Sequence, residues 1–97
     1  MEKLKLIGFD LEEIEKEKIN NILNNYLKKI ENIVDYKQLS IRLKKSKHGK
    51  IFLHEIETKL ETKEKIFNSK ITDYNIFNAL KETLKKIINE LKHYYKK

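Results

Sequence analysis

Apolar positions along this chain switch between two periods, and the switches mark the elements. Lys3-Leu4-Lys5-Leu6-Ile7 alternates and predicts a first strand, ended by Gly8. Asp10-Leu11-Glu12-Glu13 then reads as a capping box, with the Asp10 carboxylate accepting from the Glu13 amide and Glu13 reaching back. Glu12, Glu13, Glu15 and Glu17 crowd the first turns, where the helix dipole favours negative charge. From about Leu11 to Val34, the residues Ile19, Ile22, Leu23, Tyr26, Leu27, Ile30, Ile33 and Val34 recur at three- and four-residue spacing, one stripe of an amphipathic helix.

Period two returns in Leu39-Ser40-Ile41-Arg42-Leu43-Lys44, predicting a second strand over about Gln38–Lys45 with Leu39, Ile41 and Leu43 facing the core. Lys45 to Lys50 reads as a basic loop, with His48-Gly49-Lys50 as its turn. A third strand spans about Ile51–Glu61, with Phe52, His54, Ile56, Thr58 and Leu60 on one face. Glu55, Glu57, Lys59 and Glu61 make the other face wet, apart from Ile51 and Leu53. Thr62-Lys63-Glu64-Lys65 makes a polar turn, and a fourth strand over about Lys65–Ile71 places Phe67, Ser69 and Ile71 inward. Thr72 or Asp73 caps a last helix, about Tyr74 to Tyr95, whose stripe is Phe77, Leu80, Leu84, Ile87, Ile88, Leu91 and Tyr95.

The order β-α-β-β-β-α, with two one-sided helices, predicts an α+β two-layer sandwich: a four-stranded sheet with both helices on one face. Short turns make the last three strands an antiparallel meander. The first helix is a crossover, which sets the first two strands parallel with a right-handed connection. At 97 residues, without proline and with two glycines, residues 1–97 form a single domain.

Charge adds the first functional pointer. The chain carries +7 at pH 7, and 21 of its 22 basic residues are lysine, a bias that an AT-rich genome also produces. Distribution says more than total. Residues 1–35 hold six lysines against eight acids, net −2, whereas residues 36–97 hold sixteen basic residues against seven acids, net +9. Tyr36 to Lys50 contains Lys37, Arg42, Lys44, Lys45, Lys47 and Lys50 without an acidic residue, and such a concentration suits a polyanion, nucleic acid first. On a helical wheel Lys81, Lys85, Lys92 and Lys96 of the last helix fall within about 60° of one another. Like charges at i, i+4 cost about a few tenths of a kcal/mol per pair, so a solvated lysine face and a phosphate-contacting face are both open.

Several function classes lose support. Without cysteine there is no disulfide, no thiolate chemistry and no Cys-based zinc site. His48, His54 and His93 lack HxH or HExxH spacing, and no Ser/His/Asp set, glycine-rich phosphate loop or paired-carboxylate site is recognisable. No cofactor, metal or small-molecule substrate is expected, and the reading is non-enzymatic. No apolar run approaches ~20 residues and the N-terminal apolar stretch is too short for a signal peptide, so the expected compartment is the cytoplasm, with no membrane partner.

The element order, together with certain segments, resembles the hibernation-promoting factors and ribosome-associated inhibitor A proteins, most closely archaeal-type members. The segments are Leu6-Ile7-Gly8-Phe9-Asp10-Leu11, Tyr26-Leu27-Lys28-Lys29-Ile30, Ile41-Arg42-Leu43-Lys44-Lys45 and the Gly49-Lys50 turn. The last is Asp73-Tyr74-Asn75-Ile76-Phe77-Asn78-Ala79-Leu80, similar to the family's aspartate–aromatic–Ala-Leu/Ile lead-in to the final helix. The turn Thr62-Lys63-Glu64-Lys65 departs from the family's frequent Pro-Gly, and His54 stands near a position where a tyrosine is expected. The resemblance implies a fold related to double-stranded-RNA-binding domains. It further implies a translation inhibitor that occupies the decoding region of the small ribosomal subunit and silences idle ribosomes. With the chain ending at Lys97, it implies the short form, without the C-terminal domain that pairs ribosomes.

On that resemblance the ribosomal RNA contacts would be Lys28 and Lys29 of the first helix, Arg42, Lys44, Lys45, Lys47 and Lys50 of the second strand and its loop, and Lys81, Lys85 and Lys92 of the last helix. Arg42 is the only arginine, so a bidentate fork for phosphate or guanine is available once. Tyr94 and Tyr95, with Lys96 and Lys97, either stack on a base or pack the helix end. Two other functions fit the residues: a general module for structured RNA, read by shape, and a protein-interaction domain whose lysine excess is compositional and whose docking surface is the wet face around Ile51 and Leu53.

Overall fold

The structure is a computed structural model and describes residues 3–95. Its elements are β1 (Leu4–Ile7), α1 (Glu13–Ile33), β2 (Gln38–His48), β3 (Ile51–Glu61), β4 (Ile66–Asp73) and α2 (Ile76–Tyr95). They form the expected α+β sandwich. The sheet order is β1-β2-β3-β4, with β1 parallel to β2 and the remaining pairs antiparallel. Leu39, Ile41 and Leu43 of β2, Ile56 and Leu60 of β3 and Phe67 of β4 are buried on the face that the helices cover, as their alternation predicts. Onto them α1 lays Ile19, Leu23 and Ile30, and α2 lays Ile76, Ala79, Leu80, Leu84, Ile87, Ile88 and Leu91.

Both helix starts differ from the sequence expectation, for the same reason. The capping box of α1 uses Glu12 and Glu15 rather than Asp10 and Glu13; the Glu12 N–H donates to Glu15 Oε1 at 3.3 Å. Phe9 and Leu11 pack on the core as an extended lead-in, because the chain must first cross from the sheet to the helix layer. The cap of α2 is Asn75, not Thr72 or Asp73. Asn75 Oδ1 accepts from the Phe77 and Asn78 amides at 2.9 and 3.1 Å. Asp73 is still paired with His54 in the sheet, so its backbone cannot yet turn; its carboxylate instead accepts from the Asn75 N–H at 2.8 Å.

Gly8 sits where β1 leaves the sheet with φ +81, and a Cβ there would drive into the Leu43 carbonyl oxygen. The close approach lets the chain turn out of the sheet beside β2. One polar cluster bridges the layers: the Thr83 hydroxyl of α2 lies 3.0 Å from the Thr58 hydroxyl and 2.9 Å from the Ser69 hydroxyl, all three side chains being buried. At the far end of α2 the Tyr95 hydroxyl donates to Glu64 at 2.8 Å, fastening the helix to the β3–β4 turn.

The largest correction concerns the basic segment. Lys45 to His48 is not a loop. The β2–β3 ladder runs without interruption to His48↔Ile51, and Gly49-Lys50 alone close the hairpin. Gly49 has φ +67 and Lys50 has no positive φ, the signature of a type II′ turn. A two-residue turn forces its flanking residues into register, so the polar composition of Lys45-Ser46-Lys47-His48 is overridden by pairing with His54, Leu53, Phe52 and Ile51.

Candidate nucleic-acid interface

Strand alternation divides the cations that sequence proximity suggested were one group. Arg42 and Lys44 point to the open face of the sheet, whereas Lys45 and Lys47 continue the face that carries Leu39, Ile41 and Leu43. Lys50 lies on the turn. All ten candidate residues are exposed, and eight of them fall on three separate surfaces, with Lys28 and Lys81 beside the second.

The open sheet face is mixed in charge. Arg42 stands directly across from Glu57, and Lys44 from Glu55. Glu55 also takes an ion pair from Lys70 at 3.0 Å, and that hydrogen bond, followed by the Glu55 charge, raises the Lys70 pKa above its ordinary value. The expectation of uncompensated charge thus fails for Arg42 and Lys44: the linear run contains no acid, but β3 supplies two from across the ladder. Around Arg42 the face forms a shallow depression lined by Ile7, Ser40, Glu57, Lys59, Ile66 and Asn68. Glu57 faces Arg42 across the ladder, but no ion pair within 4.0 Å involves Arg42 among the described residues. Lys59 was absent from the sequence candidates. Its position two residues after Glu57, on the wet face of β3, was the signal that could have added it.

The second surface is a groove between the helices. The two helices run side by side in the same direction: Lys18 of α1 sits over Phe77 near the start of α2, at 5.2 Å from the ring centroid, and residues late in each helix meet further along. There Tyr26 and Lys29 of α1 and Lys85, Ile88, Asn89 and Lys92 of α2 line a groove that contains three lysines and no acid. Lys29 Nζ lies 5.0 Å from the Tyr26 ring centroid, which holds its charge at the rim. Lys85 has one acidic neighbour, Glu82, at 3.5 Å in a solvent-exposed i, i+3 pair that contributes little. The spacing of Lys85 and Lys92 on one wheel sector is what aligns them, and α1 adds Lys29 from a different element. Lys28 is exposed beside Lys29 but does not line the groove, and Lys81 lies one turn before Lys85. Point charges along an apolar-floored channel suit phosphate oxygens, and Asn89 and Tyr26 add polar groups for sugar or phosphate.

The third surface is the end of the β2–β3 hairpin, where Lys47 faces Phe52, Lys45 faces His54, and Lys50 occupies the turn. His54 is half-buried, and its Nδ1 lies 3.0 Å from the Tyr74 carbonyl oxygen, so that nitrogen carries the hydrogen.

The C-terminal tyrosines take the packing role. Tyr95 and Tyr94 form an edge-to-face pair at 4.9 Å, and Phe67 joins Tyr94 at 5.6 Å. Lys65 Nζ sits 5.0 and 5.2 Å from the Phe67 and Tyr94 ring centroids. Burial, opposed by the Thr62 hydrogen bond and reinforced by the Glu64 hydrogen bond and charge, raises the Tyr95 phenol pKa. Lys96 and Lys97, expected to join these tyrosines, and Lys96 of the lysine sector lie outside the described residues. Among the described residues no group of three or more His, Asp or Glu side chains converges as a metal site would require. No described helix is long and apolar enough to cross a membrane.

In fold, the chain matches the N-terminal domain of Thermus thermophilus protein Y with a TM-score of 0.66 and 19% identity, over 93% of this chain and 94% of that one. It also matches a ribosomal subunit interface protein from Coxiella burnetii with a TM-score of 0.67 and 11% identity, over 97% and 98% of the two chains. No protein-family model and no curated protein matches the sequence.

Proposed function

We propose that this protein is a non-enzymatic, ribosome-binding regulator of the hibernation-promoting factor and ribosome-associated inhibitor A type. It occupies the decoding region of the small subunit and blocks translation by occlusion. The observation that carries this reading is the end-to-end match in fold to a ribosomal subunit interface protein. The acid-free groove of Lys29, Lys85 and Lys92 supports ribosomal RNA as the surface it grips, because lysines on a rigid helix pair position a phosphate backbone without reading sequence. Specificity then comes from the shape of the ribosomal cleft. Arg42 on the open sheet face offers a second, bidentate contact from the opposite side of the domain.

Sedimentation with purified ribosomes at low and high salt tests this. Co-sedimentation with the small subunit that is lost at high salt, and lost at low salt in a Lys85→Glu/Lys92→Glu variant, supports the reading. Messenger and transfer RNA should compete for the site. A folded protein that fails to bind at low salt refutes ribosome association, and competition by any free RNA duplex would favour a general structured-RNA module instead.

A further inference from the structure

The last three pairs of the β2–β3 hairpin, Ser46↔Leu53, Lys47↔Phe52 and His48↔Ile51, have no third strand beside them. The pairing of β1 with β2 stops at Arg42, and that of β4 with β3 stops at His54. Three pairs at about 3.4 Å per residue make a ribbon roughly 10 Å long that projects from the body of the domain. Two-stranded ribbons are marginal in water, and exposed apolar side chains add little to one. Yet Ile51 is 55% exposed and Phe52 48% exposed at its end, on opposite faces.

The face that carries Phe52 is the basic one. Lys47 is its direct cross-strand partner, Lys45 lies two residues back, and Lys50 is at the tip. Tyr74, 56% exposed, is drawn to the base of the same ribbon through its carbonyl on His54. The acid on this side, Asp73, is across from His54 and already holds the Asn75 amide. Glu55 points to the other face, where Lys70 pairs with it. An exposed ring flanked by lysines with no acid within the projecting pairs is the arrangement that stacks a base while its neighbouring phosphates are held.

We propose that the hairpin end is a stacking platform for single-stranded RNA: Phe52 stacks on an unpaired base, and Lys45, Lys47 and Lys50 hold the adjacent phosphates. An intact duplex hides its base faces and leaves Phe52 unused, whereas an unstacked base presents one. The groove between the helices lacks this element, because its ring, Tyr26, is half-buried under Lys29. The proposal deepens the functional reading by assigning unpaired nucleotides to one surface; it rests on RNA being the partner, not on the ribosome.

The test is fluorescence anisotropy with a labelled, unstructured oligoribonucleotide and, separately, a blunt RNA duplex. Phe52→Ala should weaken the single strand roughly 5- to 150-fold, the contribution of one stacked base, and leave duplex binding within about twofold. The chain has no tryptophan. Phe52→Trp therefore installs a single reporter that should retain affinity and lose fluorescence when the oligonucleotide is added. Equal loss on both RNAs, unchanged single-strand affinity in Phe52→Ala, or an unquenched Phe52→Trp would overturn the proposal. Sedimentation of Lys85→Glu/Lys92→Glu with ribosomes separates the two claims. Ribosome binding lost in that variant with no Phe52 effect sinks the platform alone; a Phe52 effect in a protein that binds no ribosome sinks the ribosomal reading alone.

Discussion

Replacing Thr83 by valine removes one hydroxyl from a buried, otherwise apolar layer while keeping shape nearly constant. Thr83 bridges Thr58 at 3.0 Å and Ser69 at 2.9 Å, and those two residues face each other across the β3–β4 pair. Each hydroxyl has one hydrogen, so Thr83 donates to one neighbour and accepts from the other. No buried side-chain nitrogen or oxygen among the described residues lacks a partner. Valine would strip a partner from two hydroxyls at once. An unsatisfied buried polar group costs about 1–3 kcal/mol, and the added methyl recovers part of that, so the expected loss is about 2–3 kcal/mol. For a domain of this size that is a drop in Tm of roughly 10–20 °C. Urea unfolding followed by far-UV circular dichroism measures it, with an unchanged m-value as the sign that the native state is otherwise intact. The triple variant Thr58→Val/Ser69→Ala/Thr83→Val should recover to within about 1 kcal/mol of the parent, because apolar groups then face apolar groups. A single variant within about 0.5 kcal/mol of the parent, or a triple variant worse than the single, would refute the argument that Thr83 satisfies two buried hydroxyls that valine would leave unpaired. On the proposed reading, in which Lys85 and Lys92 of α2 grip ribosomal RNA, the single variant should also bind ribosomes more weakly near its lowered Tm.

Other outcomes follow from individual residues. Gly8→Ala should cost about 3 kcal/mol or more in urea unfolding, because it combines a positive φ with a clash against the Leu43 carbonyl, whereas Gly49→Ala, with the same sign of φ but open space, should cost about 1–2 kcal/mol. Burial first, and then the Glu31 charge, raises the Tyr36 phenol above its ordinary value of 10.0. The folded state therefore binds that proton more tightly, so this stabilisation is complete below pH 10.0 and is lost as pH rises through the higher folded value; Tyr36→Phe should remove that component from a stability–pH series and the late transition from an absorbance titration. If ribosomal RNA is the partner, as proposed, converting Lys85 and Lys92 to glutamine should lower the slope of log affinity against log salt by about one unit per lysine; an unchanged slope would take the groove out of the interface.

Local order was readable in the residues. Leu39, Ile41 and Leu43 alternate, Ile56, Thr58 and Leu60 alternate, and the stripe from Leu80 to Leu91 repeats at helical spacing; all are buried where those periods place them. Periodicity reports which side of its own element a residue faces, and burial of that side is the main driving force of the fold. The element order and the parallel β1–β2 pair followed from it. Helix starts did not, since Asp10 and Asp73 are competent caps whose backbones are committed to crossing between layers or to pairing in the sheet.

The candidate site was legible only as a supply of cations. That Lys45 to His48 would be strand rather than loop depended on a type II′ turn imposing register on a polar segment. That Arg42 and Lys44 would face Glu57 and Glu55 depended on the same register, from residues fifteen and eleven positions away in sequence. Lys29 joined Lys85 and Lys92 only because α1 and α2 pack side by side in one direction. The sequence by itself determined the elements, their inward faces and the sign of the charge, because these are properties of nearest neighbours along the chain. Tertiary structure decided which cations share a surface, which of them face an acid and how far the hairpin projects, because electrostatic neighbours are set by distance in space, and the backbone hydrogen bonds between strands set that distance.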